Sequence, residues 1–266
     1  MATSIPVVES SLTTPRVRIV PVEQPWEWLG AGWKDLWRAP AVSISYGLLF
    51  VIMGYFLVYL VESSFQYTLA LTSGFLLAGP FLAIGLYDIS RRLEAGQPAS
   101  LGHALIAWRY NLLPIALFGI LIGILMIIWV RLSGMMFALL IASQRMTLDT
   151  SSTHLFFSGS GLIFLIVFAV VGAVIAAVVF TISVVSIPMM LDRKVDLITA
   201  VLTSITAVRV NPAPMALWAA LIAIFTGIGL VTFYLGLAIT LPLIGHASWH
   251  AYRELVEDND IEPQPL

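Results

Sequence analysis

The chain has 266 residues, 59% hydrophobic and only 11% charged, with a net charge of −2 at neutral pH. About a quarter of an ordinary soluble domain is charged, and the polar surface available here is too small to cover such an apolar excess, so a soluble globular protein is excluded. The lack of a basic field argues against nucleic acid as a partner, and the absence of cysteine excludes disulfides, thiolate catalysis and cysteine-ligated zinc or iron–sulfur clusters.

Residues 1–22 are polar and proline-containing, with no apolar stretch of signal type, and read as a disordered cytoplasmic tail. Residues 23–39 form a tryptophan-rich amphipathic helix in which Trp26, Leu29, Trp33 and Trp37 share a face, while Glu27, Lys34, Asp35 and Arg38 lie elsewhere. Tryptophan favours the headgroup level, where ring and N–H are both satisfied, so the helix is expected to lie on the membrane surface. The same pattern would also serve to dock in a groove of a partner protein.

The membrane domain, residues 40–256, begins with a span at about 41–61, long enough for ~30 Å of hydrocarbon. A second span at 67–89 is interrupted by Gly79–Pro80, which predicts a kink. It ends in Tyr87-Asp88-Ile-Ser-Arg91-Arg92-Leu-Glu94, where Asp88 can pair with Arg91 and Arg92 at i+3 and i+4. Ser100 is placed to cap a short surface helix striped by Leu101, Ala104, Leu105 and Trp108. The stretch 112–142 is overlong for one crossing and contains Arg131, expected near the far headgroups; 144–153 is a polar loop. A fourth span, 155–190, leads to Asp192-Arg193-Lys194 and a second surface helix at 195–210. The fifth span is expected over 213–241, with Pro242 breaking it before 244–256 and an acidic tail at 257–266.

The fold class is thus an all-α integral membrane protein of about five spans, or six if 213–256 divides near Gly227–Gly229. Five spans place Arg16, Arg18, Lys34, Arg38, Arg91, Arg92, Arg109, Arg193, Lys194 and Arg209 on one side, leaving only Arg131, Arg145 and Arg253 opposite. The positive-inside rule makes the first side cytoplasmic.

One pattern occurs twice, 100 residues apart: Ala107-Trp-Arg109-Tyr-Asn111-Leu-Leu-Pro114 and Ala207-Val-Arg209-Val-Asn211-Pro-Ala-Pro214. Each copy ends a surface helix and starts a span, giving a parallel internal repeat of span, surface helix and span over about 67–142 and 155–241. Such repeats occur in transporters, with sites at the repeat interface, and they also arise from duplication alone. Arg109 and Arg209 are placed to hold anionic headgroups or to pair with Asp88 or Asp192, and Asn111 and Asn211 to cap the spans. A substrate site built from both Arg–Asn pairs is the sharper alternative. His246 and His250, at i and i+4, share a helical face that can hold a metal ion or haem; the competing reading is an interfacial pair beside Trp249 and Tyr252. The spans hold almost no charge, which argues against a proton-coupled pump.

Three phrases, Tyr87–Gly96, Asn211-Pro-Ala-Pro214-Met and Pro242-Leu-Ile-Gly245-His246-Ala-Ser-Trp249-His250-Ala-Tyr252-Arg253, resemble a bacterial family of uncharacterised integral membrane proteins, a domain of unknown function whose members are sometimes labelled cytochrome c oxidase subunit I-like. A catalytic oxidase subunit needs many more spans and several histidine ligands to haem and copper. The resemblance supplies no established activity, and it makes a bacterial inner membrane the expected location. The expected function is a non-enzymatic inner-membrane accessory, assembly or scaffold subunit of a membrane complex, or a lipid-binding protein, with no cofactor. A small transporter or channel is the alternative.

Overall fold

A computed structural model describes residues 15–60, 65–142, 159–257 and 264. The first 14 residues, the exit loop after the first span, the polar loop at 144–153, the start of the fourth span and most of the acidic tail lie outside the described residues. The chain forms α1 (Gln24–Arg38), α2 (Pro40–Leu60), α3 (Phe65–Leu77), α4 (Gly79–Leu82), α5 (Ile84–Glu94), α6 (Leu101–Ile106), a 3-10 turn (Ala107–Asn111), α7 (Leu112–Phe137), α8 (Gly159–Ser183), α9 (Ser186–Asp192), α10 (Leu197–Val210), α11 (Pro212–Val231) and α12 (Leu237–Leu255). Pro40–Leu60, Leu101–Ile141, Gly159–Asp192 and Pro212–Val231 are long and apolar enough to cross a membrane. In hydrocarbon the backbone must satisfy its own N–H and C=O groups, which a helix does within one segment. The molecule is an all-α, multi-pass membrane protein.

The second column breaks where proline requires it. α3 stops at Leu77, α4 carries Pro80 in its first turn, and α5 starts at Ile84. Ser100 caps α6 by accepting the His103 N–H, as its position predicts. The bend between α8 and α9 exposes the Val185 N–H, and the Ser204 hydroxyl of α10 accepts it.

The C-terminal third differs from expectation. α11 ends at Val231, and α12 runs unbroken through Pro242. The reversal uses Thr232 to Gly236, with Phe233 and Tyr234 at φ 54° and 65°. The Thr232 hydroxyl accepts the Gly236 N–H, and Tyr55 of α2 donates to the Phe233 carbonyl at 2.7 Å. Tyr234 in turn reaches Thr72 of α3 at 3.2 Å. Hydrogen bonds from neighbouring helices replace the usual turn residues, which is why no turn was legible there. Proline withholds a donor from the carbonyl four residues back. Gly47 of α2 packs against that carbonyl, Ala238, and against the Pro242 ring; a side chain at position 47 would keep the two helices apart.

α12 therefore returns antiparallel to α11 and alongside α2, so 213–256 does divide, at Thr232–Gly236 and not near Gly227–Gly229; α12 itself is not among the helices long and apolar enough to cross a membrane. Its last residues meet the N-terminal segment: Arg18 N–H donates to the Leu255 carbonyl, Glu257 N–H to the Arg16 carbonyl, and Val17 bridges Val256. Residues 16–18, assigned to the tail, are thus held against the end of α12.

Packing is densest at this closed end. Leu86, Ile89, Ile187, Met189, Leu191, Ala247, Tyr252 and Leu255 are fully inaccessible, whereas only 11% of the most apolar window of α8–α9 is buried. The two proposed repeats follow the same order but pack differently. α7 lies along α3, while α11 lies along α12 and α1.

Candidate functional site: a buried polar layer at the closed end

The motif asparagines mark matching hinges. Asn111 sits at φ −140°, ψ 64° and Asn211 at φ −125°, ψ 53°. Neither side chain caps its span, contrary to the sequence reading. Each amide instead clamps passing backbone. Asn111 Nδ2 donates to the Met190 and Val195 carbonyls at 3.1 and 3.0 Å. Asn211 Nδ2 donates to the Arg18 and Ala207 carbonyls, while its Oδ1 accepts the Val20 N–H at 2.9 Å. Met190 belongs to a last turn, where carbonyls lack helical donors, while the Ala207 carbonyl accepts both the Asn211 amide and the Asn211 backbone N–H. In α11 the first residue is Pro212, which has no N–H to be capped.

The motif arginines are not drawn into this layer. Arg109 is exposed, with its guanidinium 5.4 Å from the Trp108 ring, and Arg209 is exposed at the end of α10. Neither pairs with Asp88 or Asp192 as anticipated, because those carboxylates are taken. Asp88, fully buried, accepts from Arg91 Nη2 and from Arg92 Nε, both at 3.0 Å. Arg91 continues to the Leu191 carbonyl and stacks 4.6 Å above Tyr110, whose hydroxyl meets Arg92 at 2.8 Å. Asp192 accepts from the Tyr252 hydroxyl at 2.7 Å and from Arg253 at 3.3 Å. Glu94 accepts from Trp249 and Arg253, and Glu254 from Trp28 and Gln24. The two Arg–Asn pairs therefore do not converge on a common site.

A second set was not legible in sequence. His246, completely buried, contacts Ser43 of α2 through Nε2 at 2.9 Å and Ser90 of α5 through Nδ1 at 2.8 Å. Ser90 donates to Asp35 Oδ2 of α1 at 2.8 Å, and His250 Nε2 meets the same oxygen at 2.8 Å. The single Ser90 proton fixes the order. Since it goes to Asp35, Ser90 must accept from His246 Nδ1–H, which leaves Nε2 to accept the Ser43 proton. The chain Ser43, His246, Ser90 thus donates in one direction and ends on a carboxylate that also takes His250. Burial pushes the Asp35 carboxyl up, but the hydrogen bonds from His250 and Ser90 and the potential of both histidines outweigh it, and its pKa lies below the ordinary carboxylate value.

His246 and His250 do share a face, yet both nitrogens of His246 are engaged by serines and His250 Nε2 by Asp35. As arranged, they do not converge on an ion, and no group of three potential ligand residues does so among the described residues. Asp35, Ser43 and Ser90 escaped the sequence reading because they lie on three different helices and meet only through tertiary packing. The available signal was an acid inside a tryptophan-rich helix and a serine one turn from the Asp88 cluster.

Apolar columns exposed along their length, joined at one end by a polar layer with internal partners, define a multi-pass helical membrane protein. Residues 67–192 match the model of the family described as predicted integral membrane protein (DUF2189). No curated protein and no solved structure matches the chain. The matched segment runs from α3 to the end of α9; it contains Asp88, Arg91, Arg92 and Asn111, but of the histidine network only Ser90.

Proposed function

We propose that the protein is a non-enzymatic structural component of a bacterial inner membrane, an accessory or assembly subunit that sits beside a larger membrane complex and contacts anionic lipid headgroups. The observation that carries this reading is the engagement of the acids at the closed end. Asp35, Asp88 and Asp192 are each held by donors of the same chain, and the Ser43–His246 pair lies fully inaccessible. Groups spent on one another rigidify a scaffold, whereas a catalytic site needs at least one reactive group facing a substrate. The basic residues of the closed end support a cytoplasmic placement of both chain ends.

Purification of the tagged full-length chain in mild detergent, with identification of co-purifying proteins, tests the reading. A reproducible stoichiometric membrane partner is expected. A chain that emerges alone from several mild detergents contradicts the accessory role. The transporter alternative requires the two Arg–Asn pairs to act together, so unchanged flux in Arg109→Ala and Arg209→Ala proteoliposomes removes that version of it.

A further inference from the structure

α1 carries more than its docked face. Trp28, Leu29, Gly32, Asp35 and Leu36 are buried, and Gly32 lies so close to α12 that a Cβ there would meet Ala247 N at 2.6 Å. At 100° per residue, Trp26, Trp33 and Trp37 form a separate line, and they are 56%, 47% and 57% exposed. The face that could have entered a partner's groove is thus filled by the protein itself, and the tryptophan line is left outside. Lys34 and Arg38 flank it on the solvent side.

The other two surface helices repeat the combination. Around α6, Leu105, Ile106 and Trp108 are exposed next to Arg109; on α10, Ile198 and Leu202 are exposed along the helix that ends in Arg209. Asp35 and Asp88 are buried, while the more exposed Glu27, Glu94 and Asp196 are engaged by Gln24, Arg253 and Thr199. Neutral Gln24 and Thr199 leave the Glu27 and Asp196 charges in place, and Glu23 is also exposed at the start of α1. The outward cations without a neighbouring carboxylate on their own element are therefore Arg109 and, at the opposite end of α10 from Asp196, Arg209. Half-exposed tryptophan next to lysine and arginine matches the headgroup level of an anionic leaflet, where the ring is desolvated and the cation meets phosphate.

We propose that α1, α6 and α10 form an interfacial collar that binds anionic phospholipid headgroups and sets the depth of the bundle in the bilayer. This rests on the membrane-structural reading above and names its lipid partner. α1 is fixed to the bundle by Asp35 and by the Gly32 contact, so its tryptophans mark depth as a rigid element.

The test uses the full chain in nanodiscs of mixed phosphatidylcholine and phosphatidylglycerol. Native mass spectrometry then reads which lipids stay bound, for wild type and for a variant with Lys34→Gln, Arg109→Gln and Arg209→Gln. Wild type is expected to retain phosphatidylglycerol preferentially, with the preference falling by about fivefold for each cation removed at low ionic strength. Equal retention of both lipids by wild type, or a preference unchanged in the variant, overturns the proposal. A second measurement does not depend on charge. Lipids brominated near the headgroup should quench wild-type tryptophan emission more strongly than that of Trp26→Phe, Trp33→Phe, Trp37→Phe; equal fractional quenching means the line does not face lipid and points to a protein partner. Lipid selectivity without a co-purifying protein would leave the collar standing and the accessory role refuted, so the two claims fail separately.

Discussion

Asp88 is the residue on which the closed end most depends. Its carboxylate has no access to water and is held by two arginines, so removing it strands two buried cations. Breaking a buried pair in this way costs about 3–5 kcal/mol. Asp88→Ala is therefore expected to lower the thermal unfolding midpoint in detergent sharply, with Asp88→Asn intermediate because it keeps acceptor geometry without charge. A midpoint unchanged in Asp88→Ala would show that the cluster contributes nothing. Asp35 makes a pH-dependent contribution. Its folded pKa is depressed, so its stabilisation is fully present above the unfolded value of about 3.9 and is lost as pH falls through the lower folded value. Wild type should lose stability progressively below about pH 4, while Asp35→Asn, weaker at pH 7, should lose less over that window; parallel curves would exclude Asp35 as the origin. The Asp88 pairing was legible because i, i+3 and i, i+4 spacing lies within one helix. The Asp35 network was not, since residues 35, 43, 90, 246 and 250 meet only through tertiary packing.

At the scale of elements, the sequence exposes what local chemistry controls. The Gly79–Pro80 break, the Ser100 cap and the bounds of the second surface helix follow from proline, serine and apolar periodicity, and the structure has all three. The α11–α12 reversal follows from none of these. It is built from Phe233 and Tyr234 at positive φ, a conformation that costs L-residues roughly 1–2 kcal/mol each, and it is held by Tyr55 of α2 and Thr72 of α3. Phe233 is 78% exposed, so Phe233→Gly should stabilise by about 1 kcal/mol by relieving that strain, read as a higher unfolding midpoint. A lower midpoint would mean that the ring matters more than the backbone. The helix contacts are equally specific. Gly32→Val places a branched side chain against the Ala247 backbone and should detach α1, detected as faster proteolysis near residues 24–38 with the spans intact. Protection equal to wild type would show that α1 is held elsewhere.

The whole molecule is a bundle whose packed core lies at one end rather than in mid-membrane. The spans turn most of their apolar surface outward, and stability is concentrated where α1, α5, α9 and α12 meet with both described ends of the chain. The duplicated motif supports this design by clamping backbone: Asn111 holds the α9–α10 turn and Asn211 holds the segment before α1. The second copy spends its clamp on a segment outside the repeat, one reason the two halves pack differently. Composition fixed the class and motif spacing located the hinges, but the number of columns depended on a turn without turn residues. The return of α12 is therefore the claim to test most directly. The chain has no cysteine, so single cysteines can be introduced at Val22, Ala95, Glu257 and Phe233 and probed with a membrane-impermeant thiol reagent in sealed, oriented vesicles. Residues 22, 95 and 257 are expected to react from the same side and Phe233 from the other. Labelling of Glu257→Cys together with Phe233→Cys, opposite to Val22→Cys, would contradict the closed bundle.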